Sequence, residues 1–155
     1  MSGQETMQGG DDTGTTAWFI ERFGLINDNL PRTASRMFAL FLVEGGPFSF
    51  SQLAERLQVS RGNVSMSSRM LEQGGMIERL TRPGERQDYF RVVEQPWQRM
   101  IEHEIAKQQK ARSYAATLLA TSPDLSPEAR QRIDELVSLI DTAIRSMSSM
   151  IGGEG

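Results

Sequence analysis

If residues 61 to 73 form a helix, one face of that helix is polar and carries no acidic side chain. In a helix each residue advances by about 100°, so positions 64, 67, 68 and 71 share one side, and the opposite side carries small and polar residues. Small side chains allow close approach to a duplex groove, whereas amide and guanidinium groups hydrogen-bond base edges or phosphates. We therefore predict that this face contacts DNA and that its methionine touches a thymine methyl group. The residues predicted to contact DNA are Gly62, Asn63, Ser65, Met66 and Arg69.

Four further arginines are candidates for contacts with the DNA backbone or the minor groove. Arg61 lies in the first helical turn, where the helix dipole and free N–H groups also favour a phosphate. Arg82 and Arg86 flank a turn and are predicted to reach an adjacent minor groove, although a solvated turn is the alternative. Arg32, at the start of an earlier helix, is a weaker candidate and is equally well interpreted as a plain surface charge.

Capping residues predict the two helices that must position this surface. Ser49 and Gln52 have the spacing of a capping box, so one helix begins directly after Ser49. The chain then turns at residues 58 and 59, and Ser60 caps a second helix that ends at Gly74 and Gly75. Two helices joined by so short a turn form a helix-turn-helix unit.

A β-hairpin is predicted directly after these helices. Residues 76 to 81 and 89 to 93 are short β-prone segments, and between them Pro83 and Gly84 suit the centre of a type II turn. Residues 48 to 93 thus predict a winged helix-turn-helix, in a fold that is mainly α with a small β-hairpin. The predicted organisation is a disordered leader (1 to 15), an N-terminal helix for dimerisation or effector binding (16 to 29), the DNA-binding domain (30 to 94) and C-terminal dimerisation helices (95 to 151).

The last helix carries a heptad pattern. Ile133, Ile140 and Met147 are seven residues apart, with further apolar residues between them. This spacing is typical of a coiled-coil seam and predicts a homodimer formed through the terminal helices. On this interpretation a charge at Ile140 should separate the subunits.

Composition limits the class of protein. The chain has 155 residues and no cysteine, which excludes disulfides and thiolate metal sites and fits a reducing cytoplasm. The net charge is −3, yet residues 29 to 91 hold nine arginines against six acidic residues, while the rest holds eight basic residues against fourteen acidic ones. No stretch approaches the roughly 20 apolar residues of a membrane span. We expect a cytoplasmic protein with a basic middle and no membrane partner.

The sequence offers little support for catalysis or metal binding. It contains no glycine loop for phosphate, no metal motif and no plausible pairing of a nucleophile with a base. His103 is the single histidine and cannot supply the multi-histidine cluster of a transition-metal site. We predict that the chain is not an enzyme and needs no cofactor or metal.

Aromatic side chains lie mainly outside the predicted DNA-contacting segment. If they converge, they form an apolar pocket for a small-molecule effector or a cage for a quaternary ammonium group. The alternative is that they pack in the core and in the dimer interface, as aromatic residues at helical spacing usually do. The candidate effector residues are Trp18, Phe23, Phe41 and Trp97.

Two sequence segments resemble a known family. The run VSRGNVSM (59 to 66) and the run GERQDYF (84 to 90) are similar to the recognition helix and wing of GbsR/MarR-type bacterial transcription regulators. The resemblance covers residues 30 to 93. It implies a homodimer that is joined through its terminal helices and often has an effector pocket. Two departures stand out: Ser67 and Ser68 replace at least one expected larger residue, and Gly84 stands where many relatives have an aspartate that orients the wing arginine.

These observations predict a regulator of transcription. As a two-fold homodimer it would recognise an inverted-repeat operator, with recognition helices about 34 Å apart, and would repress or activate. One alternative is a winged-helix module that binds a protein partner without specific DNA binding. Another is an architectural DNA binder without an effector and with little sequence preference.

Overall fold

The computed structural model of the chain describes residues 12 to 26 and 29 to 152. It divides into two compact units at the boundary between Glu94 and Gln95. The first unit contains four helices and three short strands, and the second contains two long helices. In chain order the elements are α1 (Asp12–Ile26), α2 (Arg32–Glu44), β1 (Phe48–Ser49), α3 (Phe50–Leu57), α4 (Arg61–Gln73), β2 (Ile77–Thr81), β3 (Asp88–Val92), α5 (Pro96–Thr121) and α6 (Pro127–Ile151).

The core of the first unit is built around α2. Helices α1, α3 and α4 and strand β3 all pack against α2, so its side chains are covered on most of its circumference. Each large apolar side chain that is fully buried contributes about 1.5–3 kcal/mol. The largest fully buried apolar side chains are Met37, Leu40, Phe41, Leu53, Leu57, Val64, Leu71, Ile77 and Phe90.

The helix-turn-helix begins and ends as its local sequence predicts. Ser49 and Gln52 form the complete capping box, and the Ser60 hydroxyl accepts a hydrogen bond from Asn63 N at 3.2 Å. Helix α4 closes with the Schellman pattern, in which Met76 N donates to Leu71 O while Gly75 takes a φ of 73°. These local contacts determine where α4 starts and stops.

The sheet is larger than the predicted hairpin. Besides β2 and β3 it contains the two-residue strand β1, and the antiparallel order is β1-β3-β2 with Phe48 opposite Phe90. The chain reaches β1 by passing so close to β3 that a Cβ on Gly46 would lie 2.7 Å from Phe90 O. Strand β1 was not predicted from the sequence, because it is only two residues long and its partner lies about 40 residues further along the chain.

The tip of the hairpin is the predicted turn around Pro83 and Gly84. The N–H of Glu85 donates to Arg82 O at 3.1 Å, and Gly84 has a φ of 82°. A positive φ at the third position is the requirement of a type II turn, and glycine meets it without strain.

The second unit is a pair of packed helices. Arg112 of α5 pairs with Asp141 of α6, and Arg130 of α6 donates to the carbonyl of Leu119, so α6 runs back along α5. The predicted heptad seam is used inside the chain: Ile140 is 4% exposed because α6 packs on α5. The effect of a charge at Ile140 on the dimer stays a prediction, and such a charge would also disturb the packing of α5 against α6.

The N-terminal boundaries differ from the prediction. Helix α1 begins at Asp12, so residues 12 to 15 of the predicted leader are helical, while residues 1 to 11 lie outside the described residues. Within the part of the chain that the structure describes, no helix is both long and apolar enough to cross a membrane.

Candidate nucleic-acid interface

The two faces of α4 are divided as the helical spacing predicts. Its inner face, with Val64, Ser67, Ser68 and Leu71, is buried against the other elements of the first unit. Its outer face is open, and Met66 is 57% exposed although it is apolar. The residues predicted to contact DNA are exposed at positions 61, 62, 63, 66 and 69 and half-buried at Ser65.

The structure gives a physical account of the two unusual serines. Ser67 and Ser68 are both buried, and the Ser68 hydroxyl donates to Ser65 O at 3.2 Å, so its polar group is satisfied within the helix. Helix α2, against which α4 packs, also buries small side chains at Ala34 and Ala39. Small residues allow packed helices to approach closely, so buried serines on α4 suit its packing against α2.

The arginines between residues 29 and 91 fall into two groups. Residues 29 to 91 are all described, and five of their nine arginines form ion pairs: Arg32, Arg36, Arg56, Arg79 and Arg91. The other four form no ion pair with any acidic side chain in the described residues: Arg61, Arg69, Arg82 and Arg86. All four were predicted to contact DNA from the sequence, and no acidic side chain in the described ranges neutralises their charge.

The wing has an aromatic platform that sequence analysis missed. The guanidinium of Arg82 lies 4.1 Å from the centroid of the Tyr89 ring, which is a cation–π contact. The Gln87 side-chain amide donates to the Tyr89 hydroxyl at 3.1 Å. With glycine at 84 instead of an orienting aspartate, the described contacts thus orient Arg82, whereas Arg86 is exposed and makes none of them.

The base of the wing is tied to the end of α4 by Arg79. Its guanidinium pairs with Asp88 at 2.9 Å and with Glu72 at 3.4 Å. Burial lowers the pKa of Arg79, but hydrogen bonds and charge from Glu72 and Asp88 raise it above its ordinary value on balance. Two carboxylates near the candidate interface thus share a single guanidinium, which offsets one of their two negative charges.

Arg32 differs from the other predicted contacts. It pairs with Glu21 of α1 at 3.0 Å and is solvent-exposed. A phosphate would have to compete with Glu21 for this guanidinium, so its DNA contact stays a prediction with weaker support.

The four candidate effector residues do not line a common cavity in the described part of the first unit. Phe41 is fully buried against Phe48, Phe23 packs between Phe19 and Phe38, and Trp18 is 43% exposed. Trp97 belongs to the second unit. These positions favour the alternative of ordinary packing for Phe41 and Phe23. An open groove of about 650 Å³ lies beside α1, α2 and α3, but none of the four residues lines it.

Metal ligands are not clustered in the described part of the chain. Across residues 12 to 26 and 29 to 152, no three histidine, aspartate or glutamate side chains are grouped so that they could hold a metal ion. His103 is exposed on α5.

Comparison with known proteins places the fold among transcriptional regulators. Residues 33 to 87 match the model of the MarR family. The HTH-type transcriptional regulator MmpR5 of Mycobacterium tuberculosis is 29% identical over 137 residues, which cover 86% of this chain and 83% of that protein. A crystal structure of a transcriptional regulator has a TM-score of 0.79 and 28% identity, covering 89% of this chain and 96% of its own. The predicted winged-helix fold class is confirmed by this similarity.

Proposed function

We propose that the chain, whose residues 33 to 87 match the MarR family model and which is similar to transcriptional regulators over most of its length, is a MarR-type transcriptional regulator that acts as a homodimer on one operator, an inverted repeat. The observation that carries this proposal is the set of four arginines on α4 and the wing that form no ion pair among the described residues. Unneutralised guanidinium groups on an exposed surface are suited to phosphates and guanine edges.

The roles of the α4 side chains follow from their positions. Gly62 and the half-buried Ser65 leave room for the helix to enter the major groove, where Asn63 and Arg69 hydrogen-bond base edges. Met66, an exposed apolar side chain on the same face, touches a thymine methyl. Arg61, in the first turn, binds a backbone phosphate together with the free N–H groups there.

The wing extends the contact to the neighbouring minor groove. Arg82 and Arg86 lie on either side of the type II turn, and a narrow A·T-rich groove attracts guanidinium groups. Arg82 approaches from its Tyr89 platform, while Arg86 adapts to the groove.

Apolar residues on the outer helices support the dimer. In the second unit Leu139 is 67% exposed, and Leu136 and Met150 are exposed on the same helix although α6 is already packed on α5. Trp18 and Leu25 are exposed on α1. We infer that a second subunit covers these exposed residues. A two-fold homodimer would present its two recognition helices to half-sites about one helical turn apart.

A comparison of three variants tests the division of roles on α4. On an operator selected from a random DNA pool, Arg69→Ala and Asn63→Ala should each reduce discrimination against random duplex by about 1–3 kcal/mol. Arg61→Ala should weaken both duplexes alike, because phosphates carry no sequence information. Arg91→Ala is the matched control, since its guanidinium is exposed but already paired with Glu78 at 2.6 Å.

Binding measurements also separate the alternatives. Equal losses of affinity for all three α4 variants would overturn the assigned roles. If the chain retained no DNA at low salt, the protein-interaction module would be favoured, and binding without sequence preference would favour an architectural protein. An effector response stays part of the proposal as a prediction, and operator binding does not depend on it.

A further inference from the structure

Arg36 connects three helices of the first unit. Its Nε donates to Glu21 Oε1 on α1 at 2.7 Å, and its Nη1 donates to the carbonyl of Leu57 at 3.0 Å. Arg36 itself belongs to α2, and its side chain is only 18% exposed. A guanidinium carries its donors in a rigid fork, so one side chain can hold both acceptors in a set geometry.

Helix α1 is shaped to receive this side chain. A Cβ on Gly24 would lie 2.6 Å from Arg36 Cγ, so only a glycine leaves the stem of Arg36 its path beside α1. Glycine inside a helix costs about 1 kcal/mol relative to alanine. Gly24 thus lowers the stability of helix α1 but leaves the space that the Arg36 side chain needs.

The Leu57 carbonyl is the point at which this contact reaches the helix-turn-helix. Leu57 is the last residue of α3, and Gln58 follows it in the left-handed conformation, with φ 52°. Carbonyls in the last turn of a helix lack partners within the helix. Three residues later Ser60 caps α4, so a donor that holds Leu57 O also holds the start of the turn that orients α4.

We propose that Arg36 is a positioning residue for operator recognition, which transmits the position of α1, through Glu21, to the turn before the recognition helix. It need not touch DNA to do so. The inference rests on the proposed function, because it concerns how α4 is oriented for an operator. It makes Glu21, which lies on α1 and not on the helix-turn-helix, a determinant of DNA affinity.

Two single variants and their combination test this positioning role in the full-length protein. Arg36→Lys keeps the charge but cannot bridge both acceptors, and Glu21→Ala removes the acceptor on α1 from a half-buried position. Because Glu21 also pairs with Arg32 at 3.0 Å, all variants are compared in an Arg32→Ala background, so that the loss of Glu21 frees no guanidinium for a phosphate. Each should lower affinity for a duplex selected from a random pool about 3- to 30-fold. Affinity for a random duplex should change less than about 2-fold, and the salt dependence should be unchanged because the same phosphates are neutralised.

The double variant should bind no more weakly than Arg36→Lys alone, because both changes interrupt one connection. The matched control is the ion pair between Glu44 of α2 and Arg56 of α3, which reaches neither α1 nor Leu57 O. Glu44→Ala removes this pair, and Arg56→Lys replaces its two-point contact by a single one. These variants should change operator affinity less than about 2-fold. Thermal unfolding of every variant separates a failure to fold from a failure of positioning.

Several results would overturn the inference. One is operator affinity within about 2-fold of Arg32→Ala alone when Glu21→Ala or Arg36→Lys is added and the protein folds. Another is an equal decrease in affinity for operator and random duplex. Multiplicative effects in the double variant would mean that Glu21 and Arg36 act separately. If the wild type itself failed to select or bind a duplex, the proposed function would fall instead. If Arg36→Lys does not fold, Glu21→Ala still decides the question.

Discussion

At the scale of residues, pairing separates arginines that stabilise the fold from arginines that are available to a partner. Arg56, Arg79 and Arg91 lie on the same unit as the candidate interface, but each is held by a carboxylate. Surface ion pairs contribute little to stability, typically about 0–1 kcal/mol. They also reduce the negative charge beside the interface, as Arg79 does by pairing with Glu72 and Asp88.

The contact of Arg82 with Tyr89 gives a prediction about the wing. Tyr89→Leu removes the aromatic face and should lower operator affinity about 2- to 5-fold, since a cation–π contact at an exposed site contributes about 0.5–1 kcal/mol. Competition titrations with operator duplex measure this decrease. Tyr89→Phe keeps the face, removes only the hydroxyl that accepts from Gln87, and should bind like the wild type. The role of the platform would be refuted by equal decreases in Tyr89→Leu and Tyr89→Phe.

At the scale of elements, local sequence signals predicted α3, α4 and the wing turn. They did not predict which distant segments pair with each other. Caps and turn residues act on backbone groups only a few residues away, so their effect can be predicted without knowing the fold. The residues concerned are Ser49, Gln52, Ser60, Pro83 and Gly84. Strand β1 exists only because Phe90 lies opposite Phe48. The partners of the five paired arginines between residues 29 and 91 likewise lie 7 to 21 residues away in the chain.

Helix α6 shows why a heptad pattern alone does not identify the interface between two subunits. Its heptad residues do form an apolar seam, but the seam is occupied by α5 of the same chain. Periodicity identifies a face that must be covered and does not identify what covers it. The exposed residues next to the seam, such as Leu139, are therefore the better candidates for contact between subunits.

This distinction predicts opposite behaviour for two neighbouring residues. Leu139→Glu should shift the protein to monomers in sedimentation velocity while its helical circular dichroism is retained, because Leu139 is 67% exposed in the single chain. Ile140→Ala should instead lower the free energy of unfolding by about 2–5 kcal/mol, because it empties a buried site. Unchanged sedimentation of Leu139→Glu would place the dimer interface elsewhere.

At the scale of the whole molecule, an acidic protein can bind an acidic polymer because its charge is unevenly distributed. The net charge is −3, but α4 and the wing present arginines that no acidic side chain pairs with among the described residues. For DNA binding, the electrostatic potential and the arrangement of donors at that surface matter more than the net charge of the protein. The basic middle of the sequence predicted this in outline, but only the ion pairs distinguish these four arginines from the other five.

The central claim, that the arginines without ion pairs contact DNA and neutralise its charge, is tested most directly by the salt dependence of operator affinity. The double variant Arg61→Gln/Arg86→Gln should reduce the slope of log K against log salt by about 0.9 for each phosphate that is no longer neutralised. The double variant Arg56→Gln/Arg91→Gln removes the same charge from paired positions and should leave the slope unchanged. Equal slopes for the two double variants, or an affinity that does not depend on salt in the wild type, would contradict the claim.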